Sequence, residues 1–382
     1  MSEMTPRERF LATMRFKKSD HLPLCEWLPI PDDTIICWLK EGLPLTEIIG
    51  QQEIFYSCVM LSKSSNYWDS TKYFGFDKVE WLSIDFGPIP RFVTRTLEET
   101  DRYRILIDAG GIKKKLIKGR SFGMPQFLDW QVKDRKDWEK IKMRFNPADP
   151  RRYPLDWSDE FVKYYETLDH VIHLLMPGFF ATGRQLMGTV PFVSTFYKDP
   201  ELTDDMMNFW AEFLIETMRE FVETLKSRID CVTIHEDMSY KHGPHISPRV
   251  FREFMLPSYK RVTGFLRHNG IDIIFVDSDG DIRPLIPLLL EGGVNGLWPL
   301  EVAAGMDAVA LRKEYGKRLL LIGNIDKRAI TEGKTAIEKE IGSKLPYLKE
   351  EGGYIPSIDH EVPPDVPYQN YVYYLNFLKK FL

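Results

Sequence analysis

The sequence lacks long apolar runs, paired cysteines and an excess of basic charge. No apolar run approaches the roughly 20 residues of a membrane-spanning helix, and the opening MSEMTPRERF has no apolar signal-peptide segment. The four cysteines, Cys25, Cys37, Cys58 and Cys231, are scattered without a CxxC pair, which is typical of buried, reduced thiols. We therefore expect a cytoplasmic protein with no disulfide framework and no membrane partner.

The composition is that of an ordinary folded protein. The 382 residues include 51 basic and 56 acidic side chains, a net charge of −5, with 43% hydrophobic and 28% charged residues. These values exclude a disordered chain. The mildly acidic balance, with both signs interspersed, also argues against a nucleic-acid partner. The sequence contains no Walker loop and no GxGxxG fingerprint.

Buried apolar runs alternate with amphipathic helices over most of the chain. Thr5 and Pro6 predict the N-cap and first residue of an opening helix. The predicted strands cover residues 22–27, 79–84, 171–177, 231–236, 271–277, 296–301, 318–323 and 353–358, and the predicted helices include 202–225, 248–268, 282–291 and 306–315. Strands that alternate with helices indicate a parallel sheet. Eight strands favour a (β/α)8 TIM barrel, with a doubly wound sheet as the alternative.

Residues from about 79 to 142 follow a different pattern. Segments such as RFVTRTL, YRILIDAG and IKKKLIKG are short, partly alternating and separated by Gly or Asp, which is typical of small antiparallel strands. We therefore predict the α/β class and one domain over residues 1–382. That domain is a TIM barrel with an antiparallel β insertion in its N-terminal half.

Most predicted strands end on a polar residue or a glycine. These positions are Glu26, Asp85, Gly178, Glu236 with Asp237, Asp277 with Asp279, Glu301, Asn324 with Asp326, and Asp359 with His360. In a barrel they would meet at the carboxyl-terminal mouth, where barrel enzymes place their sites. The alternative for each is an N-cap of the following helix, which is our interpretation of Asp281.

Three of these segments carry the candidate chemistry. Glu236 and Asp237 suit a metal ligand, a general acid or an orienting base; ion pairs with Lys241 or Arg249 are the alternative for Asp237. Asp277 and Asp279 can direct two carboxylates at one cation. Leu288 stands where a calcium loop needs Glu, so calcium is not expected.

Two histidines lie near these carboxylates in the sequence. His360 follows the last predicted strand, where an imidazole can bind a metal, move a proton or pair with a carboxylate. His235 lies within a strand, and we interpret it as a hydrogen-bonded core residue.

Longer motifs give a family resemblance. They are RERF from Arg7 with the following Pro23, Ser247-Pro with Phe251 and Pro257, VDSDGD from Val276, PLEVAAGMD from Pro299, GNIDKRAI from Gly323 and GGYIPSIDHEVPPDV from Gly352. With these motifs the sequence resembles the uroporphyrinogen decarboxylase superfamily over almost its whole length. The resemblance implies a (β/α)8 barrel.

The superfamily contains two chemistries. Uroporphyrinogen decarboxylases bind a tetrapyrrole octacarboxylate and carry an RQAGR-like motif after the first strand, where this sequence has EWLPIPDD from Glu26 and no arginine. Corrinoid-dependent methyltransferases of the methylcobamide:coenzyme M type bind zinc through His-x-Cys-Gly and a distant Gly-Cys-Gly. Those positions correspond to Asp277, Asp279 and His360, a harder ligand set that suits an oxygen-bearing methyl donor better than a thiol.

The sequence is also similar to members that take a methyl group from aryl methyl ethers. An ether oxygen leaves only when it is protonated or bound by a Lewis acid. The resemblance therefore implies zinc or another cation on Asp277, Asp279 and His360, and catalytic roles for Glu236, Asp237 and His360. A methoxyarene needs an aromatic, apolar pocket, for which we expect the side chains of Trp27, Phe179, Tyr240, Trp298 and Tyr354.

The partners follow from what this sequence lacks. It has no Asp-x-His-x-x-Gly cobalamin motif, so a separate corrinoid protein would supply the cobalamin. The sequence does not decide whether the chain forms a homo-oligomer. One alternative function is a decarboxylase of a smaller substrate, which needs Arg184 or Arg283 to point inward. The other is a non-catalytic module that binds a corrinoid or tetrapyrrole partner.

Overall fold

The computed structural model describes residues 3–44, 52–56, 60–64, 70–82, 84–118, 124–154 and 157–382. The strands are β1 (Gln52–Tyr56), β2 (Met60–Ser64), β3 (Val79–Leu82), β4 (Arg95–Glu99), β5 (Tyr103–Ile107), β6 (Lys113–Ile117), β7 (Gln126–Asp129), β8 (Val171–Pro177), β9 (Cys231–His235), β10 (Ser239–Tyr240), β11 (Gly243–Pro244), β12 (Ile274–Asp277), β13 (Gly296–Trp298), β14 (Leu320–Ile325) and β15 (Tyr354–Ile358).

The α-helices are α1 (Pro6–Met14), α2 (Asp32–Lys40), α3 (Ser70–Phe74), α4 (Arg135–Lys142), α5 (Asp159–Thr167), α6 (Phe179–Met187), α7 (Thr189–Lys198), α8 (Pro200–Leu225), α9 (Pro248–Val250), α10 (Leu256–His268), α11 (Ile286–Glu291), α12 (Ala308–Tyr315), α13 (Lys327–Glu332), α14 (Lys334–Glu351) and α15 (Tyr368–Leu378). A π-helical turn, Phe251–Met255, joins α9 to α10. Short 3₁₀ turns are formed by Pro150–Arg152, Lys226–Arg228, Arg283–Leu285, Val302–Ala304 and Gly316–Arg318.

Seven parallel strands form the central sheet, in the order β15-β14-β13-β12-β9-β8-β3. Helices lie between these strands along the chain, as the alternation of apolar runs and helical stretches predicts. The register pairs Asp277 with His235 and with Trp298, so side chains at the ends of β9, β12 and β13 are neighbours. The α/β barrel class is confirmed.

The predicted first strand, residues 22–27, lies between the two edges of this sheet. Leu24 exchanges hydrogen bonds with Asp77 just before β3, and at the other edge the Trp27 N–H donates to the Ser357 hydroxyl. The segment is not a regular strand. Pro23 has no N–H to donate, and side chains accept the N–H bonds of Leu24 and Trp27.

Two hydrophobic cores result. The larger core packs the outer faces of the strands against the helices. The smaller core fills the barrel and is capped from the α1 side by Phe10 and Met14; its other buried members are Cys25, Trp27, Val171, Cys231, Ile273, Phe275, Trp298, Leu320, Ile322 and Ile355. Thr5 and Glu8 form the capping box that begins α1, which confirms the predicted start of this helix.

The antiparallel insertion is a four-stranded sheet in the order β4-β5-β6-β7. It lies along the chain between β3 and β8, as the short alternating segments predict. Its apolar side chains, apart from the buried Leu106, are half-buried or exposed. The sheet is therefore a surface layer rather than part of the barrel wall.

Several predicted boundaries differ from the structure. Strand β13 ends at Trp298 instead of 301, because Pro299 interrupts the ladder and Leu300 has a positive φ of 62°. Helix α11 begins at Ile286, after a 3₁₀ turn, rather than at 282. Cys25 and Cys231 are buried, Cys37 is half-buried, and all three are free thiols; Cys58 lies outside the described residues. Of the helices in the described ranges, none combines the length and apolar character needed to cross a membrane.

Removing the Phe10 ring should destabilise the barrel. Phe10 is 1% exposed and stacks on Trp27 with ring centroids 6.0 Å apart. We expect Phe10→Ala to lower the free energy of unfolding by about 3–5 kcal/mol, because it leaves a cavity in the interior. Urea denaturation followed by circular dichroism measures this change. Tyr197→Ala, at a ring that is 63% exposed, is the control and should change it by under about 0.5 kcal/mol. Equal effects of the two variants would contradict the proposed core.

Candidate active site

The alternation of side chains along two strands sets the centre of the site. Along β12, Phe275 points into the barrel core, and so does Asp277, because successive side chains alternate between faces. Along β9, Cys231 points inward in the same way. Thr233 and His235 therefore share its direction. His235 and Asp277 thus meet at the carboxyl-terminal mouth of the barrel.

His235 lies between two carboxylates. Its Nδ1 is 2.6 Å from Asp277 Oδ2, and its Nε2 is 3.8 Å from Asp237 Oδ2. Burial lowers the pKa of His235, but the adjacent Asp237 and Asp277 carboxylates outweigh burial and raise the pKa to about 9. Burial raises the pKa of Asp277 to about 6, against the opposing charge of His235. At neutral pH this imidazole is therefore held as the cation.

Arg184 is a second cation at this cluster. It lies on α6, and its Nη2 is 3.0 Å from Asp237 Oδ2. Burial raises the pKa of Asp237, but His235 and Arg184 outweigh burial, so the pKa lies below its ordinary value. Asp237 has a positive φ of 47°, an uncommon conformation for a residue other than glycine. Arg184, and not Arg283, faces the mouth, since Arg283 is half-exposed and paired with Asp281.

A second ion pair joins the loops that follow β12 and β15. Asp279 Oδ2 is 3.4 Å from His360 Nε2, with the side chains 41% and 33% exposed. Burial lowers the pKa of His360, but the hydrogen bond and charge of Asp279 outweigh burial and raise the pKa to about 9. Strands β13 and β14 separate β12 from β15 in the sheet. The Asp279–His360 pair therefore reaches across one side of the mouth.

The predicted metal ligands fall into two groups. Asp277 belongs with His235 and Asp237, whereas Asp279 and His360 pair with each other. Within the described part of the chain, the one set of three metal-ligating side chains that lies close together is His235, Asp237 and Asp277, whose ligand atoms all lie within 4.8 Å of one another. One imidazole and two carboxylates are a donor set that zinc accepts. Because His235 holds a proton, a metal ion would have to displace that proton to bind.

Glu236, predicted as catalytic, lies on the opposite side of the strand from His235. Its carboxylate accepts hydrogen bonds from the backbone N–H groups of the first residues of α6, Phe179, Phe180 and Ala181, at 2.9, 2.7 and 3.1 Å. The Tyr259 hydroxyl donates to the same carboxylate. A Cβ at Gly178 would lie 2.1 Å from the Glu236 Cδ, so glycine is required there. The structure thus places Glu236 at a helix N-terminus, outside the cluster.

The predicted aromatic pocket is mostly core. Trp27 and Trp298 are each 3% exposed, while Phe179 and Tyr354 are fully buried. Trp27 and Trp298 do line a crevice, together with Leu28, Pro299, Ile322, Gly323, Ser357 and Ile358, but its walls lie so close together that it has no room even for a water molecule. His360 follows Ile358, one of the crevice residues, by two positions in the chain.

Tyr240 is the exposed member of the predicted pocket. Its ring, 50% exposed, stacks on His245 with centroids 5.2 Å apart, and His245 stacks in turn on Phe180 at 5.7 Å. Burial and the nearby Arg184 lower the pKa of His245. A neutral imidazole between two rings therefore lies beside the cluster.

Glu26 is a further titratable group at the mouth. Its Oε2 accepts bonds from the Ser357 hydroxyl and the Ile358 N–H at 2.7 and 3.0 Å, and the Tyr371 hydroxyl donates to Oε1. Burial raises its pKa to about 7, although these bonds oppose the rise.

The other strand-end residues have structural partners. Glu301 accepts a hydrogen bond from the Gly280 N–H, and Asp85 forms an ion pair with Arg91. The Asn324 side chain donates to the carbonyls of Leu300 and Met306 and accepts from the Ala308 N–H. Asp326 caps α13, and Asp359 accepts hydrogen bonds from the N–H groups of Val302 and Lys327. For these residues the helix-cap alternative, or a loop contact like it, fits better than chemistry.

Two members of the cluster were not among the predicted site residues. The position of His235 within a strand predicts a core histidine, and the sequence points to Arg184 only through the decarboxylase alternative. The sequence does contain a signal for His235. Cys231, Thr233 and His235 are every second residue of one strand, so their side chains share the face that leads to the barrel mouth. No local pattern shows that Arg184 points at Asp237, because the two residues come from different β/α units.

Comparison with known proteins places this geometry in context. A model of the family described as uroporphyrinogen decarboxylase (URO-D) matches residues 178–381, just over half of the chain. The matched part contains the cluster and His360, whereas the inserted sheet lies outside it.

Two uroporphyrinogen decarboxylases of Legionella pneumophila are similar to the chain. The protein of strain Paris is 25% identical over 181 residues, which are 46% of this chain and 47% of the relative. That of strain Lens is 26% identical over 156 residues, 39% and 40% of the two chains. The chain thus spans about half the length, or less, of the curated relatives it matches.

A solved structure extends the similarity to the whole fold. A methyltransferase from Methanosarcina mazei covers 99% of both chains with a TM-score of 0.63 at 16% sequence identity. At this identity the likeness concerns the fold alone.

Substitution of Glu236 should cost stability. We expect Glu236→Gln to lower the free energy of unfolding by about 2–3 kcal/mol, because the amide nitrogen cannot accept the bonds from α6 and leaves buried N–H groups unpaired. Urea denaturation provides the measurement. Asp199→Asn is the control, since Asp199 caps α8 at a half-exposed position and should cost about 1 kcal/mol or less. A Glu236→Gln protein as stable as the wild type would refute the capping role.

The His235 cluster should make stability pH-dependent. The folded-state pKa of about 9 lies above the ordinary value of 6.5, so the stabilisation is fully present below pH 6.5 and is lost as the pH rises through 9. We expect the free energy of unfolding to fall by about 1–3 kcal/mol over this range. Urea titrations in EDTA at pH 6.5, 8 and 9 measure the fall. His235→Gln should flatten it, and an unchanged slope in that variant would contradict the assignment.

Proposed function

The chain belongs to the uroporphyrinogen decarboxylase family, and from this premise we propose that it is a methyltransferase. It moves a methyl group from a small methylated donor, with an aryl methyl ether as the leading donor, to a corrinoid carried by a separate protein. The observation that carries the proposal is the Asp279–His360 pair, a cationic imidazole held at the mouth.

A proton donor is what an ether requires. Breaking the methyl–oxygen bond leaves the electron pair on oxygen, and a proton delivered there makes the oxygen a better leaving group. We assign His360 as the donor and Asp279 as the residue that holds it protonated and oriented. His360 is one-third exposed, so a bound donor can reach it, whereas His235 is 14% exposed and bonded to Asp277.

The pKa of this donor suits an aryl ether. A phenol has a pKa of about 10, close to the value of about 9 for His360, so the imidazolium can protonate a developing phenolate. An aliphatic ether instead releases an alkoxide, and the same acid would have to protonate that oxygen at an earlier stage, while the methyl–oxygen bond is still largely intact. The match favours an aryl donor.

The crevice has walls of the right character, and it would have to widen for a methoxyarene to enter, since it has no room even for a water molecule. Trp27 and Trp298 present aromatic walls, and Ser357 adds a hydroxyl, in keeping with apolar pockets that carry a few polar groups. Tyr240, with its ring half exposed beside His245, offers a further aromatic surface. Phe179 and Tyr354 are fully buried in the larger core and form no part of this surface.

The reduced cobalt of the corrinoid supplies the nucleophile that accepts the methyl group. On this chain, Asp237 and Asp277 neutralise His235 and Arg184, and Glu236 fixes α6, which carries Arg184, against β9. A zinc ion held by His235, Asp237 and Asp277 would supply Lewis-acid activation of the donor oxygen. These residues fit zinc in donor type and spacing.

A decarboxylase of a small carboxylate is the second candidate. The observation in its favour is Arg184, a cation at the mouth that could bind a substrate carboxylate. Asp237 already accepts a bond from this guanidinium, and the surrounding carboxylates repel an anion. These charges make methyl transfer the better-supported reaction.

Methyl transfer from a panel of methoxyarenes to a cobalt(I) corrinoid protein tests the proposal. Phenol release and the visible spectrum of the corrinoid report the reaction. We expect His360→Gln to lower kcat at least 100-fold, since general acid catalysis contributes a factor of about 10² to 10⁴. Asp281→Asn, at a residue paired with Arg283 outside the cluster, is the control and should retain wild-type turnover.

The outcomes separate the candidates. Full activity in His360→Gln would remove the assigned proton donor while leaving the function standing. Release of carbon dioxide from a carboxylate substrate, without any need for a corrinoid protein, would replace the methyltransferase proposal with the decarboxylase. Loss of transfer upon dialysis against a chelator, with recovery on adding zinc, would support metal activation.

A further inference from the structure

A short β-hairpin, residues 239–244, follows the strand that carries His235. It begins two residues after Asp237 and pairs β10 with β11. Because β9 ends at the carboxyl-terminal mouth of the barrel, the hairpin lies next to the candidate site.

Tyr240 of this hairpin is held against the loop that carries Asp279. A Cβ at Gly280, the next residue of that loop, would lie 2.6 Å from the Tyr240 backbone nitrogen, and Gly280 has a positive φ of 79°. The Asp281 N–H donates to the Tyr240 carbonyl at 3.0 Å. Glycine allows this close approach. It brings the backbone of Tyr240 beside that of Asp279, whose carboxylate pairs with His360.

Three aromatic rings form a stack that ends in Tyr240. The centroids of the Tyr240 and His245 rings are 5.2 Å apart, with 21° between the ring planes. The centroids of the His245 and Phe180 rings are 5.7 Å apart, with 1° between the planes. Near-parallel rings at these separations are offset, an arrangement that aromatic pairs prefer. Phe180 is fully buried and Tyr240 is 50% exposed, so the stack runs from the core to the surface.

The buried end of the stack belongs to the helix that also carries Arg184. Phe180 lies in the first turn of α6, where its N–H donates to the Glu236 carboxylate. Arg184 follows one turn later on the same helix and pairs with Asp237. One helix therefore fixes the rings relative to the charged cluster.

The exposed end of the stack is open. His242 lies perpendicular to the Tyr240 ring with the centroids 6.0 Å apart, and no other described ring besides His245 stacks on Tyr240. By contrast, Trp27 and Trp298 are each 3% exposed, and the crevice that they line has no room even for a water molecule. Of the aromatic side chains predicted to bind the donor, Tyr240 is the one that a ligand reaches in this structure.

We infer that the methyl donor is aromatic and that its ring stacks on the exposed part of Tyr240, as the fourth ring of the Phe180–His245–Tyr240 stack. The inference rests on the proposed function, because it takes His360 as the group that protonates the donor oxygen. A planar aromatic ring gains the stacking interaction, whereas a saturated donor does not. In this arrangement the methoxy group is directed at the Asp279–His360 pair.

Two ethers of similar size, methoxybenzene and methoxycyclohexane, test the inference in the methyl-transfer assay. We expect Tyr240→Leu to raise the KM for methoxybenzene at least about fivefold, because the stacking interaction is lost. Its kcat at saturation should change less than about threefold, since His360 is retained. The inhibition constant of methoxycyclohexane, measured as a competitor, should change less than about twofold. Tyr240→Phe keeps the ring and should bring the KM back to within about twofold of the wild-type value.

Tyr164→Leu is the matched control, because Tyr164 is 51% exposed and lies on α5, outside the candidate site. It makes the same substitution at the same exposure and should leave both constants at their wild-type values. Circular dichroism and the melting temperature confirm that the variants are folded. An unchanged KM for methoxybenzene in the folded Tyr240→Leu protein would overturn the inference.

Ligand binding without turnover separates this inference from the proposed function. In protein with ¹³C-labelled tyrosine, the ring signals of Tyr240 are identified by their loss in Tyr240→Phe. Methoxybenzene should shift these signals through its ring current, and methoxycyclohexane should leave them in place. Such shifts without methyl transfer would support the ring site and reject the reaction. Methyl transfer from methoxybenzene with unshifted Tyr240 signals would retain the reaction and overturn the inference.

Discussion

The period-two alternation of side chains along the barrel strands is the constraint on which the site depends. It directs Phe275 and Asp277 into the barrel together, and Cys231, Thr233 and His235 beside them. The same rule turns Glu236 outward, where it can reach the N-terminus of α6. The adjacent acids Glu236 and Asp237 thus have different roles. Glu236 fixes a helix, whereas Asp237, together with Asp277, holds a charged imidazole.

The cluster at the mouth works as a charge-balanced unit. His235 and Arg184 contribute two cations, and Asp237 and Asp277 contribute two carboxylates, so buried charge is compensated within one hydrogen-bonded group. A proton on His235 and a metal ion are alternatives at this location, because both use the same imidazole nitrogens and carboxylate oxygens. A metal ion that bound here would therefore compete with the proton on His235, and its binding would depend on pH.

The sequence allowed the fold to be predicted more fully than the site. Apolar runs alternating with helices indicated the parallel barrel, and Thr5 and Pro6 gave the start of α1. Residues 22–27, predicted as a strand, lie between the sheet edges without forming a regular strand, since Pro23 has no N–H and side chains accept the N–H bonds of Leu24 and Trp27. The site was harder because its pairs, Arg184 with Asp237 and Asp279 with His360, join different β/α units. Successive side chains in a strand face opposite ways, so an acid at a strand end faces either the mouth or a helix. An error of one residue in the predicted strand reverses this direction.

The closure of the barrel also has a consequence for biosynthesis. Trp27 bonds Ser357 across 330 residues of chain, and Thr34 and Trp38 bond Val362 and Val366 across 328. At a synthesis rate of about 5–20 residues per second, the N-terminal segment waits roughly 15–65 seconds for these partners to be made. During that interval the apolar edge beside Trp27 has no partner on its β15 side. We therefore expect the emerging chain to keep this apolar edge exposed until the last β/α unit leaves the ribosome.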